Sequence, residues 1–324
     1  MSNKNTKSVT WGQYNEILRA PKVEIHHLLR HFKKTDMDFD TAGNIFVNFK
    51  KDTRGTPILV AHLDNVLHGD REPVMDVTGT RLFGKKTGIG FDDKAGIIAN
   101  IEIWRRSKAR DFRIIFTADE EVGGVGALAI QPQVYEDAAY IIELDRKGGS
   151  DLISNSGGTR LCSKAFASMF YKYGFKDAVG TFTDVNIFKP ETPTVNMVNL
   201  SIGYYSPHTD NEYLNINEFE HIVDSVFDFV ENNKESIIDD EPFEKYTPSY
   251  AENSKLYGSN YGSSYGSYER YDSMLSNTGN YRECDWCGCY FDKSTAVYDE
   301  YGQRFCSEEC KRACEKEMDS SIIV

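Results

Sequence analysis

The sequence predicts a three-layer α/β/α sandwich with a mostly parallel central sheet, followed by a small cysteine-rich C-terminal domain. Three observations lead there. Short apolar runs that read as strands alternate with helical patterns through the first two thirds of the chain. Acidic residues and histidines recur at the ends of those runs, where open α/β sheets gather ligands. A Tyr/Gly/Ser-rich stretch then separates this part from six clustered cysteines.

The elements follow in order. Residues 11–34 carry an apolar set (Val23, Ile25, Leu28, Leu29, Phe32) at helical spacing, and Pro21 suits a first helical turn, so this stretch is expected to be largely helical. Asp40 to Asn44 reads as a turn feeding a strand. Thr56 to Ala61 is a buried strand ending at His62. Residues 93–106 predict a helix with Ile97, Ile98, Ile101 and Trp104 inward. Phe112 to Thr117, Ala139 to Leu144 and Val195 to Leu200 are further strands, and Glu218 to Val230 predicts a closing helix.

With 324 residues, 40% of them hydrophobic, the chain has room for one large domain and one small one. No run approaches the length of a membrane span, and the start MSNKNTKSVT lacks a signal peptide's apolar core, so a cytoplasmic protein is expected. The formal net charge of -13 argues against a general nucleic-acid or anionic-membrane surface.

Histidines and carboxylates form the donor set that divalent metals of hard to borderline character prefer. His62-Leu-Asp64 follows a strand. Its aspartate sits two residues on, where it can accept the other imidazole N–H and fix the tautomer. Gly88-Ile-Gly-Phe-Asp92-Asp93-Lys94-Ala-Gly96 presents carboxylates just before a helix. One such carboxylate can bridge two cations, although an aspartate there also serves as an ordinary helix cap. Glu120-Glu121 places adjacent acids after a buried strand, where mutual repulsion favours a nearby cation. Asp145 ends the Ile-Ile-Glu-Leu run, and His208 lies in a Pro-His-Thr loop.

The motifs Ala61-His-Leu-Asp64, Gly90-Phe-Asp-Asp-Lys-Ala-Gly96, Asp119-Glu-Glu-Val-Gly123, Leu144-Asp145 and Pro207-His208-Thr resemble the co-catalytic di-zinc exopeptidase superfamily over roughly residues 20–235. That resemblance implies one zinc on His62, Asp92 and Asp145 and another on Asp92, Glu121 and His208. It also implies Glu120 as general base and Asp64 as the orienting residue, with cobalt or manganese as alternative metals. About sixty residues separate Asp145 from His208, too few for the lid domain many relatives insert there. Together with Thr181-Phe-Thr-Asp184, this resembles the single-domain aminopeptidase branch. The implied substrate is a peptide, cleaved as by an aminopeptidase. An N-acyl amino acid deacylase on the same site, or an inactive scaffold acting through its C-terminal domain, are the alternatives. Tyr204 or Tyr205 is a candidate oxyanion donor.

Residues 1–245 thus form the expected catalytic domain. Residues 246–281, where Tyr-Gly-Ser recurs at 257, 261 and 265, are expected to be a flexible linker. In residues 282–324, Cys284-x-x-Cys287 and Cys306-x-x-x-Cys310 have the spacing of a structural zinc site and resemble treble-clef fingers, with Cys289 and Cys314 as alternates. So short a domain needs zinc for stability. Six Lys/Arg against ten Asp/Glu in this segment disfavour phosphate tracking and point to a protein partner.

Overall fold

The computed structural model describes residues 8–239 except 68 and 70, together with 281–283, 290–292, 297–298, 304–305 and 311–312. The chain divides into two compact units, Met1–Thr247 and Pro248–Val324.

The first unit contains strands β1 (Met37–Phe39), β2 (Ile45–Val47), β3 (Ile58–His62), β4 (Pro73–Met75), β5 (Arg81–Gly84), β6 (Arg113–Thr117) and β7 (Ile141–Arg146). It continues with β8 (Asp151–Ser156), β9 (Thr159–Arg160), β10 (Lys176–Gly180), β11 (Met197–Ser201), β12 (Tyr204–Tyr205) and β13 (Tyr213–Asn215). Its helices are α1 (Asn15–Arg19), α2 (Ile25–Leu28), α3 (Phe91–Arg106), α4 (Val125–Ala129), α5 (Lys164–Ser168), α6 (Asp184–Phe188) and α7 (Ile216–Asn232).

The main sheet runs β1-β2-β6-β3-β7-β11-β8-β10, with β9 added to β8. Its centre, β6-β3-β7-β11, is parallel throughout, and antiparallel pairings enter at β2 and β8. The parallel strands are apolar at nearly every position because both faces are covered. Side-chain alternation divides them between two cores. Leu59, Ala61, Ile114, Phe116, Ile142, Leu144, Val198 and Leu200 join one core with α3 and α7. Ile58, Val60, Ile115, Ile141 and Met197 face the other, with Val185 and Phe188 of α6. Two cores on opposite faces of one sheet make the three layers predicted.

Helix α7 is amphipathic: Phe219, Ile222, Val223, Val226, Phe229 and Val230 form its buried stripe. The Asn215 side chain caps its start by accepting from the Glu218 amide. Helix α3 is buried almost all round, so it carries little amphipathic signal. The N-terminal stretch differs from expectation. It is not one helix: α1 ends at Arg19 and α2 starts only at Ile25. Between them the Val23 amide donates to the Leu63 carbonyl at 2.9 Å, a tie to the end of β3 that a helix at this position could not make. A second sheet, β12-β13-β5-β4, was not foreseen; its strands have two to four residues each.

No described helix is long and apolar enough to cross a membrane. In the second unit, β14 (Tyr281–Glu283) pairs antiparallel with β15 (Tyr290–Asp292), and β16 (Val297–Tyr298) with β17 (Arg304–Phe305). Cys284, Cys287, Cys306 and Cys310, with Cys289 and Cys314, lie outside the described residues.

Candidate metal centre

The carboxyl ends of β3, β6 and β7 lie side by side, because these strands are adjacent and parallel. β3 ends on His62, β6 delivers the chain to Glu120 and Glu121, and Asp145 is the fifth residue of β7. Asp92 sits in the first turn of α3, after Gly90, whose φ of +78° makes the sharp turn into the helix. The Asp92–Asp93 peptide bond is cis.

Asp92 is the geometric centre. Its Oδ1 lies 3.1 Å from His62 Nε2, and its Oδ2 lies 3.1 Å from His208 Nε2. Asp145 Oδ1 is 3.6 Å from the same nitrogen of His62, and Glu121 Oε1 is 2.9 Å from that of His208. The five expected ligands therefore come together in two groups, one on each oxygen of a single carboxylate. Donor atoms of His62, Asp92 and Glu121 fall within 4.8 Å of one another, as do those of His62, Asp93 and Asp145. Asp93 enters that second group, but its oxygens are engaged. Oδ2 accepts the His62 amide at 3.1 Å and Oδ1 the Gly96 amide at 2.9 Å. Asp93 thus ties the end of β3 to the start of α3.

Asp64 faces His62 from the other side, with Oδ1 3.4 Å from Nδ1, at the outer edge of hydrogen-bond range. The same carboxylate accepts the amides of Glu120 at 3.0 Å and Glu121 at 3.2 Å, so it also fixes the acidic turn. Neither tyrosine is a free donor. Tyr204 Oη donates towards the Asp145 carbonyl and carboxylate at 3.2 and 3.3 Å, and Tyr205 Oη donates to Glu218 at 2.6 Å.

Charge is heavily unbalanced here. Burial, then the negative charge of Asp145, pushes the Glu120 carboxyl up to about 10. Burial and Asp92 push Asp145 up to about 7. Burial works against ionisation of Asp92, yet its bonds from His208 and His62 hold it below the usual carboxylate range. Bonds to Asp92 and Glu121 raise His208 to about 10. Burial pulls His62 down, but Asp145, Asp64 and Asp92 outweigh it and leave the imidazole well above its ordinary value. Two imidazolium groups are too few cations for so many carboxylates, and divalent ions between the oxygens and ring nitrogens would relieve that repulsion. The donor set of imidazole nitrogen and carboxylate oxygen fits zinc, cobalt or manganese.

Sequence reasoning missed a supporting layer. Glu143, on β7 and fully buried, accepts the Asp184 and Val185 amides at the start of α6 at 3.2 and 3.4 Å. Asp184, also fully buried, accepts from the Thr117 hydroxyl at the end of β6. Asn199 of β11 accepts the Asp145 amide at 3.1 Å and donates to Thr183 at 3.0 Å. The available signal was a glutamate inside an otherwise apolar strand, since an acid is almost never fully buried without partners. Two charged residues near the candidate ligands in sequence have structural engagements. Glu212 is buried against the Gly90–Asp92 backbone, and Arg146 pairs with Asp151 at 3.2 Å.

No protein-family model matches the chain, and no curated protein matches it. Solved structures do. The aminopeptidase PepT from Bacillus cereus is 16% identical, with a TM-score of 0.55, over 68% of this chain and 97% of that one. A tripeptidase from Staphylococcus aureus is 13% identical, with a TM-score of 0.55, over 68% and 96%. The TET1 peptidase of Pyrococcus horikoshii is 15% identical, with a TM-score of 0.53, over 68% and 98%. At these identities the likeness establishes a shared fold, which spans nearly the whole of each of those chains and about two thirds of this one.

Proposed function

We propose that this protein is a two-metal hydrolase that cleaves peptide bonds as an aminopeptidase. The observation that carries the proposal is the pair of donor groups on the two oxygens of Asp92: His62 with Asp145 on one side, His208 with Glu121 on the other. The peptidases that share the fold support the same chemistry. His62, Asp92 and Asp145 would hold one zinc and Asp92, Glu121 and His208 the other. Bound there, the cations would bring a shared water to ionise near neutral pH and polarise the scissile carbonyl.

The chain's own residues supply the proton chemistry. Glu120 is next to a ligand, half-buried, and not required to hold metal. It takes a proton from the attacking water and returns it to the leaving amine. Burial and then Asp145 raise Glu120, and the positive charge of an occupied site would oppose that rise and favour the form that acts as a base. Asp64 keeps His62 and the Glu120–Glu121 turn in place. Both tyrosine hydroxyls are engaged with other groups, and bound cations would supply positive charge for the oxyanion.

The catalytic part would end near residue 245. A linker over 246–281 would join it to a domain held by a structural zinc on Cys284, Cys287, Cys306 and Cys310, there to engage a protein partner. The test uses the full-length protein, with bound metal quantified before and after chelation and turnover followed on unblocked peptides, N-blocked peptides and N-acyl amino acids. Two cations beyond the cysteine-bound one, with chelator-sensitive cleavage of unblocked peptides alone, is the expected result. Cleavage of N-acyl amino acids alone makes it a deacylase. A folded protein without those two cations would sink the hydrolase.

A further inference from the structure

Glu212 lies four residues after His208 and is 1% exposed. Its carboxylate does not face solvent. Oε2 accepts the Gly90 amide at 2.6 Å and Oε1 accepts the Asp92 amide at 3.2 Å. Two buried basic side chains, Arg71 and Lys94, lie close enough to interact with it electrostatically, and burial lowers the pKa of both. Both are held by backbone carbonyls, Arg71 by Leu67 and Gly69 and Lys94 by Leu18 and Ile89. A buried carboxylate needs donors for both of its oxygens, and the two amides that supply them lie on the turn that presents Asp92.

The consequence concerns both halves of the site. One short stretch of chain brings His208 to Asp92 Oδ2 and, through Glu212, grips the backbone from which the Asp92 side chain projects. If that grip slackened, the Asp92 carboxylate would move relative to His62 on one side and His208 on the other.

We infer that Glu212 is a positioning residue for the bridging carboxylate, fixing the Gly90–Asp92 turn so that both oxygens of Asp92 face their metal sites at once. This rests on the two-metal reading above. Partners that orient metal ligands typically contribute about 10–100-fold in metal affinity, and a partner of a shared ligand affects both ions.

The test compares Glu212→Gln and Glu212→Asp with wild type as full-length proteins. Gln keeps the shape but presents one acceptor where two amides need partners. Asp keeps the charge but is one methylene too short to reach both. Zinc alone is titrated against a competing chelator, and the visible spectrum of bound cobalt reports ligand geometry. Cobalt–thiolate absorption identifies any ion on cysteines. In both variants the affinity for both ions outside the cysteines is expected to fall about 10–100-fold, with an altered cobalt spectrum and a folded metal-free protein. A role confined to folding would lower the metal-free melting temperature and leave zinc affinity and the cobalt spectrum unchanged, which overturns the inference. Failure of both variants to fold, judged by circular dichroism, overturns it as well. A wild type that takes up no ion outside the cysteines refutes the two-metal reading itself. A wild type that takes up two, with variants that match it, refutes only the role of Glu212.

Discussion

Glu120→Gln separates catalysis from metal binding and from folding in one substitution. Glutamine has the same shape but neither accepts a proton as a base nor carries charge. General acid–base groups contribute roughly 10²–10⁴-fold, and at 1.36 kcal/mol per tenfold that is about 3–5 kcal/mol of transition-state stabilisation. Turnover on unblocked peptides should fall by about that factor, with the zinc content outside the cysteines unchanged. The metal-free protein should move the other way. Burial and Asp145 raise Glu120 from an ordinary 4.5 to about 10. At pH 7 folding therefore keeps a proton on a carboxyl that the unfolded chain would release. This opposes folding above pH 4.5, increasingly so as pH rises towards 10. Gln removes the opposition, a gain of up to about 3 kcal/mol at pH 7 that vanishes below pH 4.5. Steady-state kinetics, metal analysis and chemical denaturation of the metal-free protein at pH 4 and pH 7 read the three effects separately. Turnover within tenfold of wild type removes Glu120 from catalysis. Lost zinc makes it a ligand. A metal-free variant less stable than wild type at pH 7 refutes the electrostatic account of the site.

Three further outcomes follow from the same geometry. His208 is raised to about 10 and His62 well above its ordinary value, so metal must displace protons from both; zinc affinity should climb with pH through neutrality, and calorimetry in buffers of different ionisation enthalpy should show protons released, whereas a pH-independent affinity would contradict it. Gly96→Ala would drive a methyl into the Leu144 carbonyl and to 2.5 and 2.6 Å from the Asp93 oxygens. It should cost about 1–3 kcal/mol in denaturant unfolding and weaken zinc binding, because Asp93 ties β3 to α3. Asp239→Ala removes the carboxylate that the fully buried Lys189 ammonium and Arg160 share at 2.7–2.9 Å, at a cost of about 3–5 kcal/mol. For the same reason a chain cut after 245 should fold and one cut after 235 should not, which circular dichroism and thermal melting decide.

What could be read from the sequence was what a single segment encodes by itself. The parallel strands β3, β6, β7 and β11 stand out because strands covered on both faces must be apolar throughout. α7 stands out because one covered face gives a helical period. β8, with the sequence Asp-Leu-Ile-Ser-Asn-Ser, and the short strands of the second sheet lack either pattern, and their pairing partners supply what their residues do not. The N-terminal stretch had the period of a helix, but Val23 bonds to Leu63 instead. Interactions between distant segments outweighed local preference there.

The same distinction runs through the site. His62, Asp92, Glu120, Glu121, Asp145 and His208 could be named as candidates because they fall in short motifs, several of them at the end of an apolar run, whose order resembles that of the di-zinc exopeptidases. Glu143, Asp184 and Glu212 were harder to identify because their role is to receive backbone amides or hydroxyls from other parts of the chain. Glu212 meets Gly90 across 122 residues, and Asp184 meets Thr117 across 67. No spacing rule covers such pairs. They share a physical logic all the same. Each is a buried acid tied to a segment that carries a candidate ligand or its neighbour: Glu212 has its partners on the Asp92 turn, Asp184 has its partner at the end of β6 before Glu120, and Glu143 itself lies two residues before Asp145 on β7. The fold therefore places still more acids around a site already short of cations, and burial raises all three above their ordinary range. Two divalent ions would relieve that charge as well as perform chemistry. The metal-induced rise in melting temperature should accordingly be larger in wild type than in Glu120→Gln, because the variant has one fewer carboxyl for the ions to relieve. Equal shifts in the two proteins would mean that Glu120 lies outside the electrostatic reach of the metals.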